Sequence, residues 1–191
     1  MAPGSRRNME LILRVFTGMT SRLRIAWYRA RGVQFKRNAW LRQVEIPRNP
    51  ERVLIGDGAA LDRGVVLLVA VETGEAAAIE IGNRCYINRH TIIDASESIR
   101  IGSDCMIGPF CYVTDHDHLA HPGNPPSAGR LVSAPTVIGS RCWLGAHVTI
   151  LKGVTIGDNT VVGAGSVVTE SLPPRVIAVG SPARVLRAVS F

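Results

Sequence analysis

An aliphatic residue recurs every six positions along most of this chain. Four series share this spacing: Ile55, Leu61 and Leu67; Ile81, Ile87 and Ile93; Ile101, Ile107 and Val113; and Ile138, Leu144, Ile150, Ile156, Val162 and Val168. Glycine directly follows many of these positions. A helix would space its apolar residues by about 3.6 and a strand would alternate, so neither explains a period of six.

The fifth position of each six-residue repeat holds a small side chain. The members are Ala59, Val65, Thr91, Val148, Val154, Thr160, Ser166 and all four cysteines, Cys85, Cys105, Cys111 and Cys142. This pattern predicts a coil with three flat faces, in which the first and fifth positions point inward and glycine helps the chain at the corners. The cysteines are therefore predicted to be small buried residues rather than metal ligands or disulfide partners.

The repeat also predicts the domain organisation. Series that begin at 55, 81, 101, 138 and 156 indicate about five coils, stacked about 4.8 Å apart. The interval from Val113 to Ile138 is much longer than one repeat, so residues 114–136 are predicted to leave the solenoid as a loop excursion. Residues 51–191 form the solenoid domain in this interpretation, and residues 1–50 form a helical, basic cap.

The cap contains a predicted helix from Ser21, as its N-cap, to Gly32. Its arginines alternate with apolar residues, which fits a helix that covers the open end of the solenoid. A basic amphipathic helix on a membrane surface is the alternative.

Composition narrows the class of partner. The net charge of +7 favours an anionic partner, such as a phosphorylated cofactor, a membrane surface or nucleic acid. No stretch reaches the roughly 18 apolar residues that a membrane span needs. We expect a cytoplasmic protein, with peripheral contact at the inner face of the membrane as an option.

Three stretches resemble the hexapeptide-repeat acyltransferases, and within them the galactoside, maltose and polysaccharide O-acetyltransferases. They read "IGPFCYVTDHDH", "VIGSRCWLGAHVTILKGVTIGDNTVVGAGSVVTESLPP" and "VGSPARVLR". The resemblance implies an all-β fold, a left-handed parallel β-helix, and a homotrimer with sites between subunits. It also implies a coenzyme A thioester, acetyl-CoA, as acyl donor, a saccharide-like or glycolipid acceptor, no metal and no nucleic acid.

The same resemblance implies that His116 is the general base, because it stands after "VT" and one residue. His118 is a rival, since the loop that follows differs in length from the family pattern. Asp115 or Asp117 would orient the imidazole, and Asp115 and Asn88 are candidate substrate-binding residues. A solvated turn of alternating aspartate and histidine is the structural alternative.

The coenzyme would bind on one side of the solenoid. The resemblance places Trp143 beside the pantetheine channel, and small residues there would let the pantetheine arm run along the coils: Gly145, Ala146, Ala164 and Thr169. Arg184 and Arg187 would bind the phosphates of the coenzyme, to which arginine is suited by its forked hydrogen bonds. Plain solenoid positions and a basic tail are the alternatives.

The sequence thus predicts an acyl-CoA-dependent O-acyltransferase that transfers an acetyl group directly to a sugar or polysaccharide-precursor hydroxyl. A zinc enzyme of the γ-carbonic anhydrase kind is an alternative on the same fold, since the chain carries His90, His116, His118 and His121. A non-catalytic solenoid scaffold is another. Fold alone does not separate these functions.

Overall fold

The computed structural model describes residues 3–70, 78–119 and 131–189, with side chains from Val15 onward. One helix, α1 (Pro3–Ala30), precedes the strands. A short 3₁₀-helix spans Pro50–Arg52. The strands follow in chain order: β1 (Gln34–Phe35), β2 (Trp40–Leu41), β3 (Val53–Ile55), β4 (Ala60–Leu61), β5 (Val66–Val69), β6 (Ile79–Ile81), β7 (Tyr86–Ile87), β8 (Ile92–Ala95), β9 (Ile99–Ile101), β10 (Met106–Ile107), β11 (Tyr112–Thr114), β12 (His116–His118), β13 (Leu131–Ser133), β14 (Thr136–Ile138), β15 (Trp143–Leu144), β16 (Thr149–Ile150), β17 (Thr155–Ile156), β18 (Val161–Val162), β19 (Val167–Val168), β20 (Val176–Gly180) and β21 (Ala183–Ala188).

These strands form three parallel sheets that share one narrow core. The first sheet has the order β1-β3-β6-β9-β14-β17, the second β2-β4-β7-β10-β15-β18-β20-β21, and the third β19-β16-β11-β8-β5. Each turn of chain adds one strand to every sheet, so the three sheets are the three faces of a solenoid. Among the described strands of these three sheets, only β21 runs antiparallel, on β20, and it closes the C-terminal end of the second sheet. Strands β12 and β13 form a separate two-stranded sheet.

The repeat positions lie where the sequence predicts them. First-position residues such as Ile87 and Ile150 are fully buried, and so are fifth-position residues such as Val65 and Cys111. The cysteine thiols donate to carbonyl oxygens of the next coil, for example Cys85 Sγ to Gly102 O at 3.0 Å. All four cysteines are free and buried, as predicted.

The glycines after the first position are required for a reason other than the predicted one, which is to help the chain turn at the corners. A Cβ on Gly82 would lie 2.6 Å from the carbonyl carbon of Gly102 in the next coil, so glycine is required by the close approach of two backbones. The left-handed backbone of this corner falls two residues later, on side-chain-bearing residues such as Arg84 (φ 53°) and Asp104 (φ 62°).

The solenoid begins earlier than the predicted boundary at residue 50 and has about six coils rather than five. Strand β1 pairs in parallel with β3, Gln34 opposite Leu54, and β2 pairs with β4. An isolated parallel bridge between Glu45 and Val66 completes this first coil. The coil lacks the glycine after its first positions, Phe35 and Leu41, which is why the repeat does not reveal it.

Helix α1 is much longer than the predicted Ser21–Gly32 segment. Ser21 is not its N-cap but a buried mid-helix residue whose hydroxyl accepts the backbone N–H of Leu41 at 2.9 Å. Tyr28 Oη donates to Val44 O (2.9 Å) and accepts from Ile46 N–H (3.1 Å). The helix therefore caps the open edge of the first coil with its polar side chains, which confirms the predicted cap. Within the described residues no helix combines the length and apolar character that a membrane span requires.

Candidate active site

Two of the three corners of the solenoid carry the candidate residues. The second corner joins the second sheet to the third and comprises residues 42–44, 62–65, 88–91, 108–111, 145–148 and 163–166. The third corner joins the third sheet to the first, and includes residues 96–98, 115–119, 131–135, 151–154 and 169–171. Between Val113 and Ile138 the third corner extends outward as a two-stranded antiparallel sheet of β12 and β13, with His116 opposite Ser133.

His116 stands at the base of this excursion. Its side chain is 11% exposed, and its Nδ1 lies 3.0 Å from Asp115 Oδ1 and 3.3 Å from Thr114 Oγ1. In this geometry the carboxylate accepts a hydrogen bond from Nδ1–H, which leaves Nε2 with a lone pair. A histidine held by a carboxylate in one tautomer is suited to accept a proton from a hydroxyl group.

Asp115 cannot touch a substrate as predicted, because its carboxylate is fully buried. It accepts three backbone N–H groups of the preceding coil, from Ser96 (2.7 Å), Glu97 (2.8 Å) and Ser98 (2.6 Å). Three amide dipoles and the imidazole together stabilise the buried charge. Asp115 therefore contacts His116 rather than a substrate, and this geometry fits the orienting role predicted for either Asp115 or Asp117.

Asp94 is a site residue that the sequence analysis missed. Its Oδ1 lies 4.0 Å from His116 Nε2, and its Oδ2 accepts the Tyr112 hydroxyl at 3.0 Å. Burial raises the pKa of Tyr112, and the neighbouring Asp94 carboxylate adds to the rise, so the phenol stays protonated as a donor. Asp94 pairs with Thr114 across the third sheet. Counting back one coil from Thr114 would have found it.

His118 and Asp117 lie farther out on the excursion. His118 is exposed on β12, opposite Leu131. The Asp117 carboxylate is half-exposed and lies 3.4 Å from Lys152 Nζ. Neither residue is enclosed as His116 is, and the structure therefore favours His116 as the base.

Most of the predicted coenzyme and acceptor residues lie at the other corner. Asn88, Gly145, Ala146 and Ala164 all belong to the second corner, and Trp143, 54% exposed, faces outward on the second sheet just before it. Asn88 Oδ1 accepts the Arg89 N–H at 2.8 Å, so Asn88 also shapes its corner. Asn88 lies at the second corner, before β8, and His116 lies at the third corner, after β11. The width of the third sheet separates them, so one chain does not bring them together.

Thr169 does not lie beside Gly145 and Ala164 as predicted. It follows β19 and therefore belongs to the third corner, because two residues of the third sheet separate it from the second corner. Arg184 and Arg187 are exposed on β21, at the C-terminal end of the second sheet. The Arg184 guanidinium lies 3.4 Å from Glu170 Oε1.

A second polar cluster, centred on Asp62, is also absent from the sequence predictions. Asp62 is buried at the second corner, and its carboxylate accepts Tyr86 Oη (3.0 Å), Arg89 Nε (3.3 Å) and Arg42 Nη1 (3.4 Å). Burial opposes its ionisation, but hydrogen bonds from the Arg63 N–H, Tyr86 and Arg89 outweigh it and lower the pKa of Asp62. Asp62 stands one coil before Asn88 in the stack, which is the signal that could have found it.

The histidines considered for zinc are dispersed. His90 stacks on Phe110 at the second corner, with ring centroids 5.1 Å apart, whereas His116 lies at the third. His121 lies outside the described residues. Among the described residues, no three histidine, cysteine, aspartate or glutamate side chains are grouped to hold a metal ion.

The hexapeptide repeat has a direct counterpart among known proteins. Residues 135–170 match the family described as bacterial transferase hexapeptide (six repeats). The galactoside O-acetyltransferase of Escherichia coli (strain K12) is 40% identical over 112 residues, which cover 59% of this chain and 55% of that protein. The resemblance to the hexapeptide-repeat acyltransferases is confirmed. The coils are those of a left-handed parallel β-helix.

Two further proteins extend the comparison. The putative lipopolysaccharide biosynthesis O-acetyl transferase WbbJ of Escherichia coli (strain K12) is 38% identical, over 57% of this chain and 60% of that protein. The hexapeptide-repeat acetyltransferase VCA0836 of Vibrio cholerae, solved with acetyl coenzyme A, has a TM-score of 0.61 at 29% identity, and covers 72% of this chain and 71% of that one. This chain spans little more than half the length of the two Escherichia coli relatives.

Proposed function

We propose that this protein is an acetyl-CoA-dependent O-acetyltransferase that acts on a hydroxyl group of a sugar or polysaccharide precursor. The observation that carries the proposal is the enclosed Asp115–His116 pair at the base of the β12–β13 excursion from a hexapeptide solenoid. The similarity to galactoside O-acetyltransferase and to WbbJ supports a saccharide acceptor.

In the proposed reaction His116 acts as general base. Nε2 takes the proton of the acceptor hydroxyl while that oxygen attacks the thioester carbon, and the carbon–sulfur bond then breaks to release coenzyme A. Asp115 holds Nδ1 and stabilises the imidazolium that forms. The imidazolium returns its proton to the departing thiolate, so no covalent enzyme intermediate is needed. Such proton transfer contributes about 10²- to 10⁴-fold to the rate.

The acetyl donor is proposed to lie along the second corner. Gly145, Ala146 and Ala164 present no large side chain at half-buried or exposed positions of adjacent coils, and the exposed indole of Trp143 would form one wall of the channel. Arg184 and Arg187, at the C-terminal end of the same sheet, would bind the phosphates of the coenzyme. The bound coenzyme in the Vibrio cholerae relative supports this donor.

A homotrimer would complete the site. Asn88 and the residues proposed to bind the acetyl donor lie at the second corner, and His116 lies at the third. The two parts of the site therefore meet only when the second corner of one chain meets the third corner of a neighbour. A ring of three identical chains provides three such junctions.

The outer face of α1 is proposed to contact a membrane. Val15, Met19, Leu23 and Trp27 recur on one side of the helix and are each more than half exposed, between 54% and 69%. Residues 1–44 hold ten arginines and lysines and one acidic residue, whereas residues 45–191 hold twelve basic and fourteen acidic residues. An apolar stripe within a strongly basic segment fits the surface of an anionic bilayer.

The decisive experiment is release of free thiol from acetyl-CoA in the presence of a panel of saccharide acceptors. We expect native protein to turn over and His116→Ala to lose at least about a hundredfold in kcat, as removal of a general base does. His118→Ala is the matched control, two residues away on the same strand, and should retain most activity. If His116→Ala turns over like the native protein, the base is wrongly assigned.

A further inference from the structure

A basic cavity lies between α1 and the second corner of the first three coils. Its volume is about 360 Å³, and it is lined by the arginines Arg24, Arg42, Arg63 and Arg89 together with Thr17 and Thr20. The one carboxylate in its wall is Asp62. Four guanidinium groups against one carboxylate leave a cavity with a large excess of positive charge.

The contacts of these arginines show that the excess charge is held in place and is not neutralised. The Asp62 carboxylate accepts hydrogen bonds from Arg42 (3.4 Å) and Arg89 (3.3 Å), which hold these two guanidinium groups in position. Arg24 donates to Leu41 O at 3.2 Å, and no acidic side chain among the described residues pairs with its charge. Within the described part of the chain, the Arg63 guanidinium has no hydrogen-bond or ion-pair partner, and it is exposed to the cavity.

The register of the second corner determines the position of this cavity relative to the proposed acetyl-CoA site. Gln43, Arg63, Arg89, Pro109 and Ala146 succeed one another on neighbouring coils, since each backbone carbonyl accepts an N–H from the next coil. The donor residues Ala146 and Ala164 occupy the C-terminal end of this column. The arginine cavity occupies its N-terminal end, and Asn88 lies between them, about 10 Å from the first coil and about 14 Å from the last.

A second groove adjoins the cavity and reaches Asn88. Its volume is about 530 Å³, and Asp62, Arg63 and Arg89 line both spaces. Tyr86, Asn88 and Phe110 form the rest of the wall that an acceptor would meet. A sugar ring at Asn88 would therefore lie next to Arg63 and Arg89, on the side away from the proposed coenzyme site.

From this arrangement we propose that the acceptor carries a phosphate or pyrophosphate group, which binds in the arginine cavity while its sugar ring lies at Asn88. The inference rests on the proposed acetyl transfer at His116. A neutral saccharide would bring no negative charge to balance the guanidinium groups, and a carboxylate offers only two oxygens. A phosphate or pyrophosphate presents more oxygens and more charge, which matches several arginines around one space.

Binding is tested first, without any acyl transfer. Inorganic pyrophosphate is titrated into the full chain at constant ionic strength and followed by calorimetry. We expect saturable binding that Arg63→Gln weakens about tenfold or more, the effect of losing one charged hydrogen-bond donor. Arg100→Gln, an exposed arginine on the first sheet that pairs with Glu80, is the control and should bind as the native protein does. Equal binding by Arg63→Gln and native protein would overturn the inference.

Turnover then separates the sources of the phosphate. The acceptors compared carry one sugar as a methyl glycoside, a nucleoside diphosphate sugar, or a polyprenyl pyrophosphate sugar in vesicles. We expect kcat/KM for at least one phosphate-bearing acceptor to exceed that for the methyl glycoside about ten- to a hundredfold, and Arg63→Gln to remove the difference. The preferred phosphate-bearing form identifies a soluble or a lipid-linked acceptor.

The two proposals fail in different ways. Transfer to the methyl glycoside as fast as to its phosphate-bearing forms overturns the inference and leaves the acetyltransferase intact. Arg63-dependent pyrophosphate binding without thiol release on any acceptor supports the cavity as an anion site and contradicts the acetyltransferase.

Discussion

A buried carboxylate that accepts four hydrogen bonds anchors the candidate base. Asp115 ties the turn at 96–98 of one coil to the imidazole that leaves the next, so the stability of the third corner and the orientation of His116 depend on the same group. Chemistry and folding are therefore coupled at this residue.

Asp115→Asn tests this coupling. The amide keeps the shape but turns one acceptor into an N–H₂ that faces backbone N–H donors, so at least one buried group loses its partner. We expect about 1–3 kcal/mol of destabilisation in urea unfolding, together with a fall in kcat. Asp117→Asn is the control, because that carboxylate is half-exposed and its ion pair with Lys152 contributes little. Equal behaviour of the two variants would remove the positioning role.

At the scale of elements, α1 presents two different faces. One face gives its polar side chains to the open edge of the first coil: Ser21, Arg24, Tyr28 and Arg31 bond the backbone of residues 41–47. The opposite face leaves large apolar side chains in solvent. A helix seldom exposes such an apolar stripe to solvent without a binding partner. The outer face of α1 therefore indicates a second contact surface, in addition to the face that packs on the first coil.

The two faces can be separated by substitution. Tyr28→Phe removes a buried hydroxyl that bonds both Val44 O and Ile46 N–H, and should destabilise the fold by about 1–3 kcal/mol without changing lipid binding. Leu23→Asn, at the most exposed of the apolar positions, should change stability by less than about 0.5 kcal/mol.

The measurements are urea unfolding and co-sedimentation with vesicles that contain anionic or only neutral lipid. We expect native protein and Tyr28→Phe to sediment with the anionic vesicles, and Leu23→Asn to sediment less. Equal sedimentation with neutral vesicles, or none with either, would contradict the membrane face.

The elements that repeat could be predicted from the sequence, and those that do not repeat could not. The six-residue period located the buried columns, the excursion and His116, because each coil meets the same steric demand. The first coil lacks that signature, and the helix start was misplaced because Ser21, a good capping residue, instead bonds Leu41 across 20 positions. The partners of His116 and Asp62 come from neighbouring coils, so finding Asp94 or Arg89 needs the stacking register as well as the motif.

At the scale of the whole molecule, the solenoid orders the proposed reaction along one corner. Coenzyme phosphates bind at the C-terminal end, the acceptor sugar near Asn88, and its phosphate below α1. The positive charge of the chain is concentrated at this last end, where residues 1–44 carry nine more basic than acidic residues (ten minus one). The helix that caps the solenoid would thus also place its proposed membrane-facing side beside the proposed acceptor cavity.

Within a single chain the base is missing from this arrangement, because His116 lies at the third corner, across the third sheet from Asn88. If the edges of neighbouring chains meet in a trimer, an Asn88→Ala chain and a His116→Ala chain, each inactive alone, should complement each other when co-expressed. In a random mixture each junction pairs an intact Asn88 edge with an intact His116 edge at a frequency of about one in four, so about a quarter of native turnover is expected. Separately purified variants mixed without subunit exchange are the control. No recovery in assemblies shown by mass measurement to contain both chains would place the complete site within one subunit.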